Sequence, residues 1–281
     1  MEIVLGLGAA VAYGAADFFG GLASRRTAAL TVVLLSQAAG SLLLLVSWPL
    51  FSSGALDETA VGWGLLAGVC GSGGVTLLYL GLATGPMSLV APVTAVIAAI
   101  VPVAFGLAAG ERPGPLSLLG VGVALVAVVL VSVSGGEAAG RELARAGRRG
   151  IAAALAAGAA FGGFFIALER AADDSGLWPL VGARISSVGT VAILLLATST
   201  IPRPRRGSVP AILAAGVLDV AANLLYVLAT HRGLLSLVAV LTAMYPASTV
   251  LLARFVLGER LTRVRLVGLA AAAVGVVLIA S

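Results

Sequence analysis

The sequence predicts an all-α integral membrane protein of ten transmembrane helices, built as two five-helix repeats of inverted topology. Three observations lead there. The 281-residue chain is 60% hydrophobic and only 10% charged, with a mean hydropathy of +1.13, whereas soluble domains carry about a quarter charged residues. Ten apolar stretches run along it, each near the roughly 20 residues that cross the hydrocarbon. Short matches also recur at one spacing of 148 residues, the mark of an internal repeat.

The spans, in order, are Ile3–Ala23, Leu30–Leu50, Val61–Ala83, Met87–Ala109, Leu116–Ser134, Gly150–Leu168, Trp178–Thr198, Pro210–Thr230, Leu234–Leu257 and Leu266–Ala280. The first is too long for a signal-peptide core and lacks a basic leader, so it is expected to be retained. Connections such as Thr84–Pro86 and His231–Gly233 are very short, which makes successive helices antiparallel neighbours. The longest polar segment, Gly135–Arg149, separates five spans from five. The expected organisation is therefore a first repeat over 1–134, an Arg-rich linker over 135–149 and a second repeat over 150–281.

The repeat is read residue by residue. "GER" occupies Gly110–Arg112 and Gly258–Arg260, and "SLVA" begins at Ser88 and at Ser236. Thr94-Ala95 matches Thr242-Ala243, Gly120 matches Gly268, and Tyr13-Gly14 aligns with Phe161-Gly162, all at the same offset. "LLY" at Leu77 and Leu224 is offset by 147, which implies one indel. Five is odd, so the second half enters the membrane from the opposite side. Inverted repeats are an architecture of secondary transporters, with the binding site at the interface between halves.

On these motifs, with the two "GER" strings closing spans 4 and 9 ahead of the Gly120 and Gly268 helices, the chain resembles the ten-helix EamA-type branch of the drug/metabolite transporter superfamily. The resemblance covers essentially the whole chain. It implies an exporter or exchanger of small organic solutes, with spans 3, 4, 8, 9, 1 and 6 around a central cavity and span 7 peripheral. It does not specify the solute.

The net charge is +5, and all 17 basic residues are Arg. With the Ala, Gly and Val excess this reads as coding bias, not as a nucleic-acid surface. Twelve arginines fall on loops 1–2, 5–6, 7–8 and 9–10, and only Arg112, Arg170 and Arg232 on the opposite loops. The positive-inside rule then puts the 135–149 linker in the cytoplasm and both termini outside. The resembled family is more often thought to have cytoplasmic termini; the charge count is followed here. Trp48, Trp63 and Trp178 near span ends fit an aromatic belt.

Charges inside the membrane need a reason, since each costs several kcal/mol unless wet or paired. Asp17 follows Tyr13 by one turn in span 1, among Gly14, Gly20 and Gly21. It is either a proton- or substrate-linked carboxylate or a structural acid bonded to a neighbouring helix, with Gln37, Asn223 or Arg184 as candidate partners. Asp219 lies near the middle of span 8, and Asn223 and Tyr226 extend it into a polar stripe. The repeat places Ser72, Thr76 and Tyr79 opposite those three. Arg184 in span 7 either holds an anionic substrate, pairs with Asp219 or Asp17, or snorkels to the interface. Pro92, Pro102 and Pro246 should kink spans 4 and 9, with Thr94, Thr242 and Tyr245 near the freed carbonyls. Glu111 and Glu259, at opposite membrane faces, are expected to organise or gate loops while paired locally with arginine.

An enzyme is not expected. His231 is the only histidine, Cys70 the only cysteine, and no HExxH, Walker A or Cys–His cluster occurs. No cofactor or metal is implied. The expected partners are a small-molecule substrate, the lipid bilayer and, through Asp17 or Asp219, protons. Ten helices enclose a cavity within one chain, so a monomer is expected.

Overall fold

The computed structural model describes residues 1–51, 57–84, 87–132, 148–171, 176–198, 203–258 and 261–281. All regular structure there is helical. The elements are α1 (Glu2–Ser24), α2 (Ala29–Phe51), α3 (Glu58–Thr84), α4 (Met87–Ala108), α5 (Pro115–Ser132), α6 (Arg148–Glu169), α7 (Trp178–Ala197), α8 (Val209–Thr230), α9a (Leu235–Thr242), α9b (Tyr245–Leu257) and α10 (Arg263–Ala280). Ten spans result, the ninth in two pieces. Eight are long and apolar enough to cross a membrane, and α2 and α4 contain the shorter apolar helices Leu30–Val46 and Pro92–Ala108. The exposed side chains are those of a lipid-facing surface: Leu42, Leu45, Ile193, Leu196, Phe255 and Val277 all point outward. The Gly135–Arg149 linker lies outside the described residues except for Arg148 and Arg149.

The packing has the symmetry of the repeat. α1 packs on α8 and on both pieces of the ninth span, while α6, its counterpart, packs on α3 and α4. α2 against α8 mirrors α7 against α3. α5–α10, α4–α9a and α2–α7 are pairs that the exchange of halves maps onto themselves. Neither half therefore has a core of its own, because its first helix packs mainly against the other half.

Small residues let these helices approach. A Cβ on Gly120 would lie 2.8 Å from the Ile279 nitrogen, and one on Gly268 2.8 Å from the Val131 nitrogen. Val131 and Ile279 are themselves 148 residues apart, so one contact is the repeat image of the other. In a bilayer, where lipid is as apolar as leucine, such close approach is a main source of helix association.

The prolines behave differently from one another. α4 continues through Pro92 and Pro102. The ninth span stops at Thr242 and restarts at Tyr245, with Pro246 in the first turn of α9b. Proline has no N–H to give and is favoured at a first turn, so the chain breaks just before it.

Candidate functional site

Two faces of the membrane are distinguished here: a terminal face, which carries both chain ends, and a linker face. Asp17 belongs to the half of α1 that runs toward the linker face. It is about 40° around the helix from Tyr13 and about 120–140° from Val4 and Val11 at 100° per residue. Val4 and Val11 are exposed apolar residues on the lipid side, whereas Tyr13 points at α8 and its hydroxyl donates to Asn223 Oδ1 at 2.9 Å. Asp17 is nevertheless exposed. Its exposure is therefore to an interior opening and not to lipid.

The shape of that opening follows from two glycines on one face. Gly14 leaves no room for a Cβ, because Ser248 and the Tyr245 carbonyl press against it, and its own carbonyl accepts a 2.9 Å bond from Thr249. Gly21, two turns further and on the same face, has nothing within 4 Å of a Cβ. α1 and α9b thus part toward the linker face, and Asp17 stands between the closed and the open level.

Asp219 is the second acid. It lies about 120–160° around α8 from the exposed Leu213 and Val217, so it also points inward. Arg184 of α7 donates through Nη2 to Asp219 Oδ2. Asn223 Nδ2 donates to the Asp219 carbonyl at 2.7 Å and to Oδ2 at 3.3 Å. With the Tyr13 bond this makes one chain, Tyr13–Asn223–Asp219–Arg184, across α1, α8 and α7. Of the readings of Arg184, the structure contains the pair with Asp219; the guanidinium does not snorkel, and its side chain is 10% exposed against 33% for Asp219. Asp17 lies one turn beyond Tyr13 on α1, and the Tyr245 carbonyl presses on Gly14 of the same helix. Among the described residues, the Asp17 carboxylate makes no hydrogen bond or ion pair; Gln37 Oε1, on α2, is buried with no partner.

The repeat image of this region is closed. Phe165 of α6, 148 residues beyond Asp17, is 6% exposed. Its ring meets Tyr13 edge-on at 6.1 Å and Tyr226 at 4.8 Å, and its carbonyl accepts from the Tyr226 hydroxyl at 3.1 Å. Leu168, a turn further on, is fully buried. Equivalent positions of two inverted repeats look toward opposite faces. Asp17 is exposed and Phe165 buried, so the two equivalent positions occupy unlike surroundings.

Glu111 takes part in that closure. Gly110 has φ +103°, a value that glycine adopts without a Cβ clash, and it turns the chain back over α4. Gly106 leaves the space that the carboxylate fills. Glu111 Oε1 accepts from the Leu235 N–H at 2.6 Å and Oε2 from the Ser236 N–H at 3.0 Å. These are orphan donors at the start of α9a, whose own N-cap residue Leu234 supplies no side-chain bond. A carboxylate from the first repeat thus caps a helix of the second, where the helix dipole also favours it. The expected local arginine pairing is not found: among the described residues Arg112 reaches only the Glu111 carbonyl, at 3.1 Å. Glu259 lies outside the described residues.

Thr94 is buried and donates to the Ala154 carbonyl at 3.2 Å, joining α4 to α6. Thr242 is fully buried beside the break in the ninth span, its Oγ1 without a partner among the described residues. Thr76 donates to its own helix at Ser72, 2.8 Å. Tyr226 is buried, and the side chain of Tyr79 lies outside the described ones. A crevice beside the break, lined by Ala127, Val131, Met244 and Pro246 among others, is apolar and too tight for a water molecule, and offers a polar solute nothing. Sequence reasoning did not find Phe165 or the Glu111 cap. Adding 148 to Asp17 would have pointed to the first.

Comparison with known proteins adds three findings. The model of the EamA-like transporter family matches residues 1–133 and again 148–281. No curated protein matches the chain. Among solved structures, one described only as "Crystal structure of protein" is similar, with a TM-score of 0.75 at 17% identity, over 97% of this chain and 98% of that one. At that identity the likeness concerns the fold.

Proposed function

The chain belongs to the EamA-like transporter family, a family of non-enzymatic membrane transporters of small solutes, and from that premise we propose that it works as a secondary active exporter or exchanger of small organic metabolites by alternating access. The observation that carries this reading is the unlike state of two equivalent positions, Asp17 exposed and Phe165 buried. Two repeats that exchange these states would expose one site to each face in turn. The break in the ninth span between Thr242 and Tyr245 gives α9a and α9b a place to move independently.

Asp17 is the coupling residue in this proposal, and Tyr13, Asn223, Asp219 and Tyr245 share the site with it. A carboxylate that passes between a wet vestibule and a closed site changes its proton affinity on the way, which is what proton exchange requires. The arginine bias supports a cytoplasmic linker, so the vestibule takes its solute from inside. One chain suffices for the path, consistent with a monomer.

The test is transport in proteoliposomes over a metabolite library, with and without a pH gradient. Gradient-accelerated exchange that Asp17→Asn abolishes is the expected result. Transport indifferent to the gradient would make the protein a passive facilitator, and no transport of any solute would defeat the reading.

A further inference from the structure

One corner of the linker face is built from arginine. Arg25 and Arg26 follow α1, and Arg205 and Arg206 precede α8, with Arg206–Ser208 forming a single 3-10 turn. All four arginines are exposed. The two loops are joined: Thr27 Oγ1 accepts from the Arg205 N–H at 3.2 Å, and Arg26 Nη1 would lie 3.3 Å from a Cβ on Gly207. Among the described residues no carboxylate stands at the helix ends of this face. Glu2, Asp57, Glu58, Glu111 and Glu169 belong to the terminal face, and Asp17 and Asp219 lie within spans. The repeat-equivalent corner has the opposite charge. The residues 148 positions beyond Arg25 and Arg26 are Asp173 and Asp174, and α3, the counterpart of α8, begins at Asp57 and Glu58. Asp57 Oδ1 accepts from the Ala60 N–H at 2.9 Å, so α3 starts on an anion of its own. α8 does not: Ser208 makes no side-chain cap bond, and its buried Oγ has no partner among the described residues. The start of α8 and the arginines beside it therefore both favour an anion that the described chain does not supply. Below them Val209, Leu213 and Val217, one turn apart on α8, form an exposed apolar stripe.

We propose that this corner binds an anionic phospholipid, its phosphate held by Arg26, Arg206 and the start of α8 and one acyl chain laid along Val209, Leu213 and Val217. Guanidinium groups match phosphate oxygens in pairs, and a helix start adds N–H donors and a favourable dipole. A lipid fits better than a free phosphate because the apolar stripe begins directly beneath the arginines, so that one amphipathic molecule satisfies both. The bound lipid joins the loop after α1 to the start of α8, the two helices that carry Asp17 and Asp219. The equivalent start of α3, capped by Asp57, needs no such ligand. This inference goes beyond the transport reading and does not depend on it.

The experiment uses the full-length protein purified in detergent and three probes: phosphatidylglycerol, phosphatidylcholine with the same acyl chains, and sodium phosphate. Bound lipid is counted by native mass spectrometry, and stabilisation is read by thermal melting. Phosphatidylglycerol should bind more tightly than phosphatidylcholine and raise the melting temperature, and sodium phosphate should do neither. An arginine near a membrane surface contributes about fivefold to binding of anionic lipid, so Arg26→Gln with Arg206→Gln should weaken phosphatidylglycerol about 25-fold. Arg112→Gln with Arg232→Gln, on the terminal face, removes the same charge and should leave the preference intact. Should the first double variant not fold, Gly207→Asp replaces it. It places a carboxylate beside Arg26 and should abolish the preference for phosphatidylglycerol, whereas Gly207→Asn should keep it. Equal affinity for the two lipids, equal loss in the two double variants, a preference untouched by Gly207→Asp, or stabilisation by sodium phosphate that matches phosphatidylglycerol each overturns the proposal.

Discussion

Glu111 and Ser236 are 125 residues apart in the chain and 3.0 Å apart in the fold, with the Glu111 carboxylate capping α9a of the opposite repeat. The bond ties the end of α4 to the start of the ninth span at the terminal face, next to the buried Phe165 and Leu168.

If this cap holds the terminal face shut, Glu111→Ala should favour opening there. Charge-assisted bonds to a helix start contribute about 2 kcal/mol, which shifts a two-state equilibrium roughly 30-fold. With Cys70 replaced by Ser, a cysteine at Leu168 should become modifiable by a membrane-impermeant reagent in the Glu111→Ala background and remain protected without it. Equal protection in both would dissociate Glu111 from gating.

Breaking the Arg184–Asp219 pair on one side should destabilise the protein. A fully buried pair broken in this way costs about 3–5 kcal/mol; Asp219 is a third exposed, and screening lowers the expectation to about 2–3 kcal/mol. Arg184→Met should lower the melting temperature in detergent, and adding Asp219→Asn should recover most of the loss. No recovery would mean that Arg184 contributes by packing alone.

The α5–α10 contact makes a third prediction. Gly120→Leu should push the helices apart and cost about 1–3 kcal/mol by overpacking. Gly122, two residues along, has nothing within 4 Å of a Cβ; Gly122→Ala should be neutral or stabilise by up to about 1 kcal/mol through helix propensity. Thermal melting of the pair against the parent chain decides it.

Topology is open to a labelling test. A cysteine replacing Glu142 in the linker, with Cys70 removed, should resist an impermeant reagent in intact cells and react in inverted vesicles. Labelling in intact cells would reverse the orientation and leave the inverted repeat intact.

The sequence by itself determined the ten spans and the repeat. Membrane insertion selects on length and apolarity, and both are local: the start of α4 at Met87 and the end of α8 at Thr230 coincide with the spans marked from hydropathy. The offset of 148 likewise needed no coordinates. Asp17 and Asp219 were legible as candidates because an acid in an apolar run is conspicuous wherever it points. The tertiary structure alone decided the partners. Hydropathy cannot tell an interior face from a lipid face, since both are apolar, so helix rotation and crossing had to be known before Arg184 could be assigned to Asp219, or Thr94 to a buried bond with α6. The break of the ninth span at Ala243–Met244, against the continuity of α4 through two prolines, also depended on packing. So did the surroundings of equivalent residues: only the assembled helices reveal that Asp17 is exposed while Phe165, its counterpart in the other repeat, is buried.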